Sequence, residues 1–388
     1  MIFSKKYFAF VKRTARFFAG SMMLGVAFLA SCGGSLSVSE GDSGEEIKMR
    51  HANLLKISED KGFTEVTVKN PWDTLKILQK YILIPSDSVL PAQLPKGTII
   101  RTPVTNALVL STVHTGLLKE LGADDAIGGI CSVEYVNDST LKKRLAEGSI
   151  IDCGLSQNPD IEKIISLRPQ VIMLSPYENN DNYAKTASLG IPIIECADYM
   201  ETSPLGRAEW MRFYGLLFGV SNRSETLFAD IEDKYTQLKD TAATVERKPS
   251  VIFDRRYGQV WNVPCGNSTT GQLIEDAGGR NPFASYSKSG SVALSPEKVV
   301  ATAHDADVWF VRYNQEKEKS LKELASDAPE NSQFKAFKEG NVFGCNTQYV
   351  NLFEETPFHP ERVLRDMVIL MHPGLIKDQE PIYYKKMK

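Results

Sequence analysis

From about residue 95 onward, short apolar runs alternate with stretches whose apolar residues recur at i, i+3 and i+4. The runs are ALVLST (107–112), AIGGICSV (126–133), QVIML (170–174) and IPIIEC (191–196), then SVIFDR (250–255), DVWFVRY (307–313) and NVFGC (341–345). Continuous apolar runs mark strands buried on both faces, and their interleaving with helical periods predicts parallel sheets covered by helices. Residues 47–100 read differently: GFTEVTVKN and YILIPS suggest an antiparallel flap ahead of the first α/β unit.

One helical pattern is much longer than the rest. Residues 222–245 keep an apolar face through Leu227, Phe228, Ile231, Tyr235 and Leu238, and Pro249 stops the helix. A helix of ~24 residues reaches ~36 Å, enough to run from one compact lobe to another. It stands between the two groups of strands, which predicts a connecting rod; packing on a single sheet is the plainer alternative.

Two stretches repeat one phrase: DIEKIISLRPQVIML from Asp160 and SPEKVVATAHDADVWFV from Ser295. Each has a capping residue, then Glu162 or Glu297 in the first helical turn, then a β-branched pair expected to face inward, Ile164–Ile165 or Val299–Val300. An acidic residue in a first turn is favoured by the helix dipole anyway. Two of them on matched helices read better as equivalent points of a pseudo-symmetric body.

The front of the chain carries Lys5, Lys6, Lys12, Arg13 and Arg16, then an apolar stretch over 17–30 that is short for a bilayer span. It ends in LASCGG, which fits a lipoprotein signal with Cys32 as the acylated residue, against an ordinary secretory signal that happens to hold a cysteine. The Gly-, Ser- and acid-rich GGSLSVSEGDSGEE then reads as a flexible tether. An exported body on a lipid anchor facing the periplasm or cell exterior follows, with boundaries 1–31 signal, 32–46 tether, 47–221 flap and N-lobe, 222–248 connecting helix and 249–388 C-lobe.

Composition adds exclusions. The 42% hydrophobic and 24% charged content is that of a globular chain, and a net charge of −3 offers no footprint for nucleic acid. Beyond Cys32 stand Cys131, Cys153, Cys196, Cys265 and Cys345, without a CxxC pair; disulfides are compatible with this count but not assignable. The five histidines, His51, His114, His304, His359 and His372, are scattered, which argues against a bare-metal site. No GxSxG, HExxH or P-loop occurs, and Ser111 with His114 lacks a nearby carboxylate for a triad, so an enzyme is not expected.

The order and spacing of RTPVTNALVLSTVHTGLLKELGADDAIGGI, NPDIEKIISLRPQVIML, IPIIECADYMETSPLGRAEWMRFYGLLFG, GQVWNVPCGNSTTGQLIEDAGGRNPF and LSPEKVVATAHDADVWFV resemble the substrate-binding lipoproteins of ABC importers for iron chelates and cobalamin. The resemblance covers most of the chain after Cys32. It implies two Rossmann-like α/β lobes joined by a single long helix, a ligand held between them, and one surface glutamate per lobe docking onto arginines of a permease dimer. By motif position these are Glu162 and Glu297. It implies a monomer with no cofactor and no metal site of its own, carrying a transported chelate: a ferric siderophore or haem first, cobalamin second.

In such folds ligands sit at loops leaving the carboxyl ends of the strands. That places His114, Tyr135, Tyr177 and Tyr199 in the N-lobe as candidates, and Arg255, Arg256, Tyr257, Trp261, Tyr313, Asn314 and Asn346 in the C-lobe. Aromatic faces suit a flat-sided ligand, and arginines suit carboxylates or anionic chelates. Each has a structural alternative as a loop wedge or ion pair. Arg207, Glu209 and Trp210 of SPLGRAEW are read as structural, because the segment leads directly into a helix. A surface scavenger without a permease and, more remotely, a hydrolase are the competing classes.

Overall fold

The computed structural model describes residues 44–177 and 184–388; Cys32, the signal segment and most of the tether lie outside these. Five strands form the flap: β1 (Glu45–Ile47), β2 (Leu55–Asp60), β3 (Phe63–Lys69), β4 (Ile77–Pro85) and β5 (Thr98–Thr102), hydrogen-bonded in that order. The first three pairings are antiparallel, as the alternation in GFTEVTVKN suggests, but β4 and β5 run parallel. Glu45 and Glu46, expected in the tether, pair with Ser58 and Glu59 of β2, so the ordered flap starts earlier than composition indicates. A ladder needs only backbone groups, and an acidic edge strand can face water.

The N-lobe runs β6 (Ala107–Val109), α1 (Thr112–Glu120), β7 (Ile127–Ile130), α2 (Ser139–Ala146), β8 (Ile151–Asp152), the short hairpin β9 (Gly154–Leu155) and β10 (Asn158–Pro159), and α3 (Ile161–Leu167). It continues through β11 (Val171–Leu174), α4 (Ala184–Ala187), β12 (Ile193–Glu195), α5 (Pro204–Glu209) and α6 (Met211–Phe218). Its sheet has the order β12-β11-β6-β7-β8 and every pairing in it is parallel. Alternate residues serve two cores. Ala107, Val109, Val171 and Met173 join the main core, while Leu108, Leu110, Ile172 and Leu174 pack with Ile164 of α3 on the opposite face. This is why the runs read as continuously apolar.

Helix α7 (Ser221–Ala243) is the long one, and its 23 residues span ~35 Å. Phe228, Ile231 and Tyr235 are buried along it, while Leu227 and Leu238 are partly buried against the same core. It packs on α5 and α6 of the N-lobe and on α8 (Thr269–Asp276) and α13 (Pro360–Met371) beyond it. The connecting-rod expectation describes it better than packing on a single sheet. The helix stops six residues before Pro249.

The C-lobe contains β13 (Val251–Phe253), β14 (Trp261–Pro264), β15 (Ser291–Leu294), α9 (Pro296–Ala303), β16 (Val308–Tyr313), α10 (Leu321–Asp327), α11 (Lys335–Lys338), β17 (Val342–Asn346), α12 (Leu352–Glu355) and the terminal β18 (Lys385–Lys386). Its sheet order is β13-β16-β17-β18, parallel except for β18, and β14 pairs with β15 as a separate antiparallel ribbon. One main core extends from the flap through α7 into this lobe, from Val66 and Tyr81 to Phe310 and Tyr384.

The repeated phrase opens two helices as expected. Asp160 caps α3 by accepting from the amides of Glu162 and Lys163, and Ser295 caps α9 by accepting from Lys298. Glu162 and Glu297 are exposed. The β-branched pairs split, however: Ile164 and Val299 are fully buried, Val300 is half-buried, and Ile165 is 56% exposed. Neighbours on a helix lie ~100° apart, so only one of each pair can face the sheet squarely.

Candidate functional site: the seam between the lobes

Four N-lobe segments leaving strands end in the same way: ALVLS, GGICS, DCGLS and VIMLS. Their serines, Ser111, Ser132, Ser156 and Ser175, converge on one cavity of about 290 Å³ together with Thr112, Gln157, Tyr135 and Tyr177. The opposite wall is Phe353 and Glu354 of α12. The parallel strands β6, β7 and β11 deliver their carboxyl ends to one edge of the sheet, which is why residues 64 positions apart meet there, and Ser156 joins them from the antiparallel β9–β10 hairpin.

The pocket's frame is hydrogen-bonded. Ser132 adopts a left-handed backbone (φ 54°), donates its amide to the Gly154 carbonyl at 2.7 Å and accepts from the Ser156 amide at 3.0 Å. Left-handed non-glycine residues cost energy and persist where the surroundings hold them. Tyr177 is 57% exposed with its ring 6.1 Å from that of Tyr199, whose hydroxyl donates to the Pro176 carbonyl. Tyr135 is 64% exposed. Burial, and then the neighbouring Glu355, push the Glu354 carboxyl upward, partly countered by a backbone hydrogen bond.

On the C-lobe side, Asp254 follows β13 with φ 57° and binds Arg312 of β16 through both carboxylate oxygens, one at 2.7 Å. The Arg312 guanidinium lies between two rings, 5.9 Å from the Phe253 centroid and 5.4 Å from that of Phe353. Phe353 is thereby backed by a fixed cation while half of it stays exposed.

A second cavity of about 350 Å³ adjoins the first through Thr112 and Glu354. Its floor is an ionic cluster joining the lobes. His359 Nε2 lies 2.6 Å from Glu120 of α1, its Nδ1 lies 2.9 Å from Glu361, and Arg362 bonds Glu355 at 3.1 Å and stands 3.6 Å from Glu120. Burial opposes a charged His359, but its hydrogen bonds to Glu120 and Glu361 outweigh it and raise its pKa. Burial likewise opposes a charged Glu120, and the His359 hydrogen bond and charge overcome it and lower its pKa.

Several residues expected at the ligand are elsewhere. His114 is buried, 3.0 Å from Asp198, with the Tyr214 hydroxyl at 3.3 Å; desolvation alone would lower its pKa, but its interactions with the neighbouring Cys196 and Asp198 raise it to about 10. Trp261 is fully buried against Trp309 and Phe334 and donates its indole N–H to the Phe253 carbonyl. Tyr313 is buried on the same face, its hydroxyl donating to Glu318. Asn346 is buried and staples a loop, donating to the Gln315 carbonyl at 2.9 Å and accepting from the Gln315 and Gln348 amides. For Tyr313 the reason is strand alternation: Trp309 and Tyr313 share the outer face of β16, which leaves Arg312 on the inner one.

Arg255, Arg256 and Tyr257 line a separate hollow of about 350 Å³ with Asp327 and Asn331. Arg255 stands 3.8 Å from Asp327 and Arg256 lies 3.1 Å from Glu330. Tyr257 is 82% exposed, and Asn314 is exposed with its amide donating to Thr347 at 3.3 Å. Sequence reasoning missed Phe353, Arg312 and the serine ring. The repeated Leu/Cys-Ser ending was a visible signal for the serines; nothing local marks Phe353.

Arg207, Glu209 and Trp210 are structural, as read. Arg207 binds Asp198 at 3.1 Å, Trp210 is fully buried and donates to Glu201, and Glu209 accepts the amides of Arg50, His51 and Ala52. The five described cysteines are buried and unbridged. Burial pushes Cys131 up to about 12. Among the described residues no group of three or more His, Cys, Asp and Glu could hold a metal ion, and no helix is long and apolar enough to cross a membrane.

Comparison with known proteins fits this geometry. Residues 108–349 match the family described as Periplasmic binding protein, leaving the flap outside the match. An uncharacterised lipoprotein of Methanocaldococcus jannaschii is 28% identical over 323 residues, 79% of this chain and 76% of the relative. A periplasmic haem-binding protein of Pseudomonas aeruginosa superposes with a TM-score of 0.56 at 15% identity, covering 73% of this chain and 98% of that one. A protein of an ABC-type Fe3+-hydroxamate transport system from Saccharomonospora viridis gives 0.55 at 18%, covering 70% and 94%. The family is one of binding proteins rather than enzymes, and its fold is the two-lobed α/β arrangement with one long helix seen here. On the match of well over half its length, this chain belongs to the periplasmic binding protein family.

Proposed function

We propose that the protein is an extracytoplasmic lipoprotein, anchored through Cys32, that captures a metal chelate between its lobes and hands it to an ABC importer permease. The observation that carries this reading is the inter-lobe cavity, where Tyr135 and Tyr177 stand across from Phe353 at the carboxyl ends of parallel strands. Exposed aromatic faces on both walls suit a flat-sided ligand. Similar folds include a haem-binding protein and a component of an Fe3+-hydroxamate system, which supports a ferric chelate as the first ligand class. A corrinoid is the second, since the same aromatic walls would take its ring. Tyr135, Tyr177, Tyr199 and Asn314 remain the ligand candidates from sequence, joined by Phe353 and the serine ring, while Tyr257 lines the separate hollow with Arg255 and Arg256.

Glu162 and Glu297 are the proposed docking points on the permease, one per lobe, with 222–248 as the connecting segment between 47–221 and 249–388. The lipoprotein name of the archaeal relative supports the anchor. The test of ligand class is a visible absorption spectrum of the full protein purified from its own host. A ferric charge-transfer, Soret or corrin band is expected; chelate-free protein that also fails to bind any of these chromophores on titration overturns the reading.

A further inference from the structure

The residues lining the cleft carry little charge. Four serines, Thr112, Gln157 and two tyrosines present neutral donors and acceptors, Phe353 presents a ring, and Glu354 is the one formally charged side chain among the described lining residues.

The nearby cations each stand beside a carboxylate, although the buried Nε of Arg255 makes no hydrogen bond. Arg312, behind Phe353, is held bidentately by Asp254. Arg256 is paired with Glu330, and Arg255 shares Asp327 with Lys319, whose Nζ lies 3.1 Å from it. These two arginines border a hollow that shares no lining residue with the cleft. An anionic ligand in the cleft would therefore be desolvated beside a carboxylate without a free counter-charge, the least favourable arrangement for a buried charge. A ligand with no net charge would meet hydroxyl and amide groups able to bond its rim, and a cationic one would add attraction to Glu354.

Building on the metal-chelate reading above, we propose that the cleft selects uncharged or cationic chelates and rejects polyanionic ones. The preferred class is a chelate whose own donors neutralise the metal and whose rim offers carbonyl or amide groups, such as a ferric trihydroxamate or a corrinoid. Ferric tris-catecholates and dicarboxylate porphyrins are disfavoured. This reverses the sequence expectation drawn from Arg255 and Arg256, because the carboxylates that neutralise them come from α10 and the turn after it, more than 70 residues away in the chain.

The test is a calorimetric titration of the full protein with five probes: ferrioxamine B (cationic), ferrichrome and cyanocobalamin (neutral), a ferric tris-catecholate (trianionic) and haemin. At least one neutral or cationic probe should bind about a hundredfold more tightly than either anionic one. Glu354→Gln should narrow the gap between ferrioxamine B and the tris-catecholate at least tenfold. Should that variant fold poorly, the salt dependence of the unmodified protein serves instead: raising ionic strength should weaken ferrioxamine B and leave ferrichrome unchanged. Tight binding of haemin or the tris-catecholate, or a gap indifferent to both Glu354 and salt, overturns the charge inference and leaves the chelate reading standing. Failure of all five probes to bind removes the chelate reading itself, and the charge inference with it.

Discussion

Glu209 has no solvent exposure, yet its carboxylate is fully used: three consecutive flap amides donate to it at 2.8–2.9 Å, and Arg212 stands 3.3 Å away. Glu201 does the same for Asn53 and Leu54. These two side chains fasten the flap to the N-lobe. Glu209→Ala would strand three donors and part of an arginine, a loss of about 3 kcal/mol by the usual cost of unsatisfied buried groups. Urea unfolding should show the midpoint falling with little change in slope; an unchanged midpoint would mean that water replaces the carboxylate. The same scale explains the mistaken ligand residues. His114, Trp261, Tyr313 and Asn346 all sit near strand ends, where a sequence reading expects ligand contacts. Which face each side chain takes depends on pleat phase and on what packs above it, and a phase error of one residue exchanges Tyr313 for Arg312.

At the scale of elements, α1 and α13 are tied by the His359–Glu120 pair, an ionic contact between the two lobes additional to α7. Its pH response follows from the shifts. His359 is raised above its ordinary 6.5, so its contribution is complete below 6.5 and is lost as pH rises through the higher folded value. Glu120 is lowered from its ordinary 4.5, so its contribution is complete above 4.5 and is lost as pH falls through the lower folded value. The latch is thus fully made between 4.5 and 6.5. His359→Gln should reduce the loss of Tm on going from pH 6.5 toward alkaline pH, while retaining the part due to His114, whose pKa reaches about 10. A Tm–pH curve unchanged by the substitution would show that the latch adds nothing to stability. Helix α7 itself was readable at sequence level to within two residues, since a 3.6-residue apolar period over so long a stretch has no competing reading.

For the whole molecule, the two copies of the capped phrase put one exposed glutamate on each lobe, and the buried core is continuous from one lobe through α7 into the other. A single stiff helix with shared packing permits a modest hinge rather than a wide closure. Under the docking reading proposed above, the spacing between Glu162 and Glu297 would serve as the gauge for a two-fold permease. Substituting both by alanine should abolish chelate uptake by cells while leaving affinity in solution unchanged, because neither lines the cleft. Uptake at the normal rate in the double variant would remove the docking assignment and favour a permease-independent scavenger.

The alternation of continuous apolar runs with helical periods determined the two α/β lobes, and the period of 222–245 determined the rod between them, because both are local patterns set by burial. The caps at Asp160 and Ser295 were equally local. Tertiary structure alone decided the site. Phe353 reaches the cleft from a four-residue helix with no periodicity to announce it, and the arginines lose their apparent purpose because Asp254, Asp327 and Glu330 approach through the fold. Charge pairing and side-chain facing are relations between distant segments, and a linear pattern records only one partner of each.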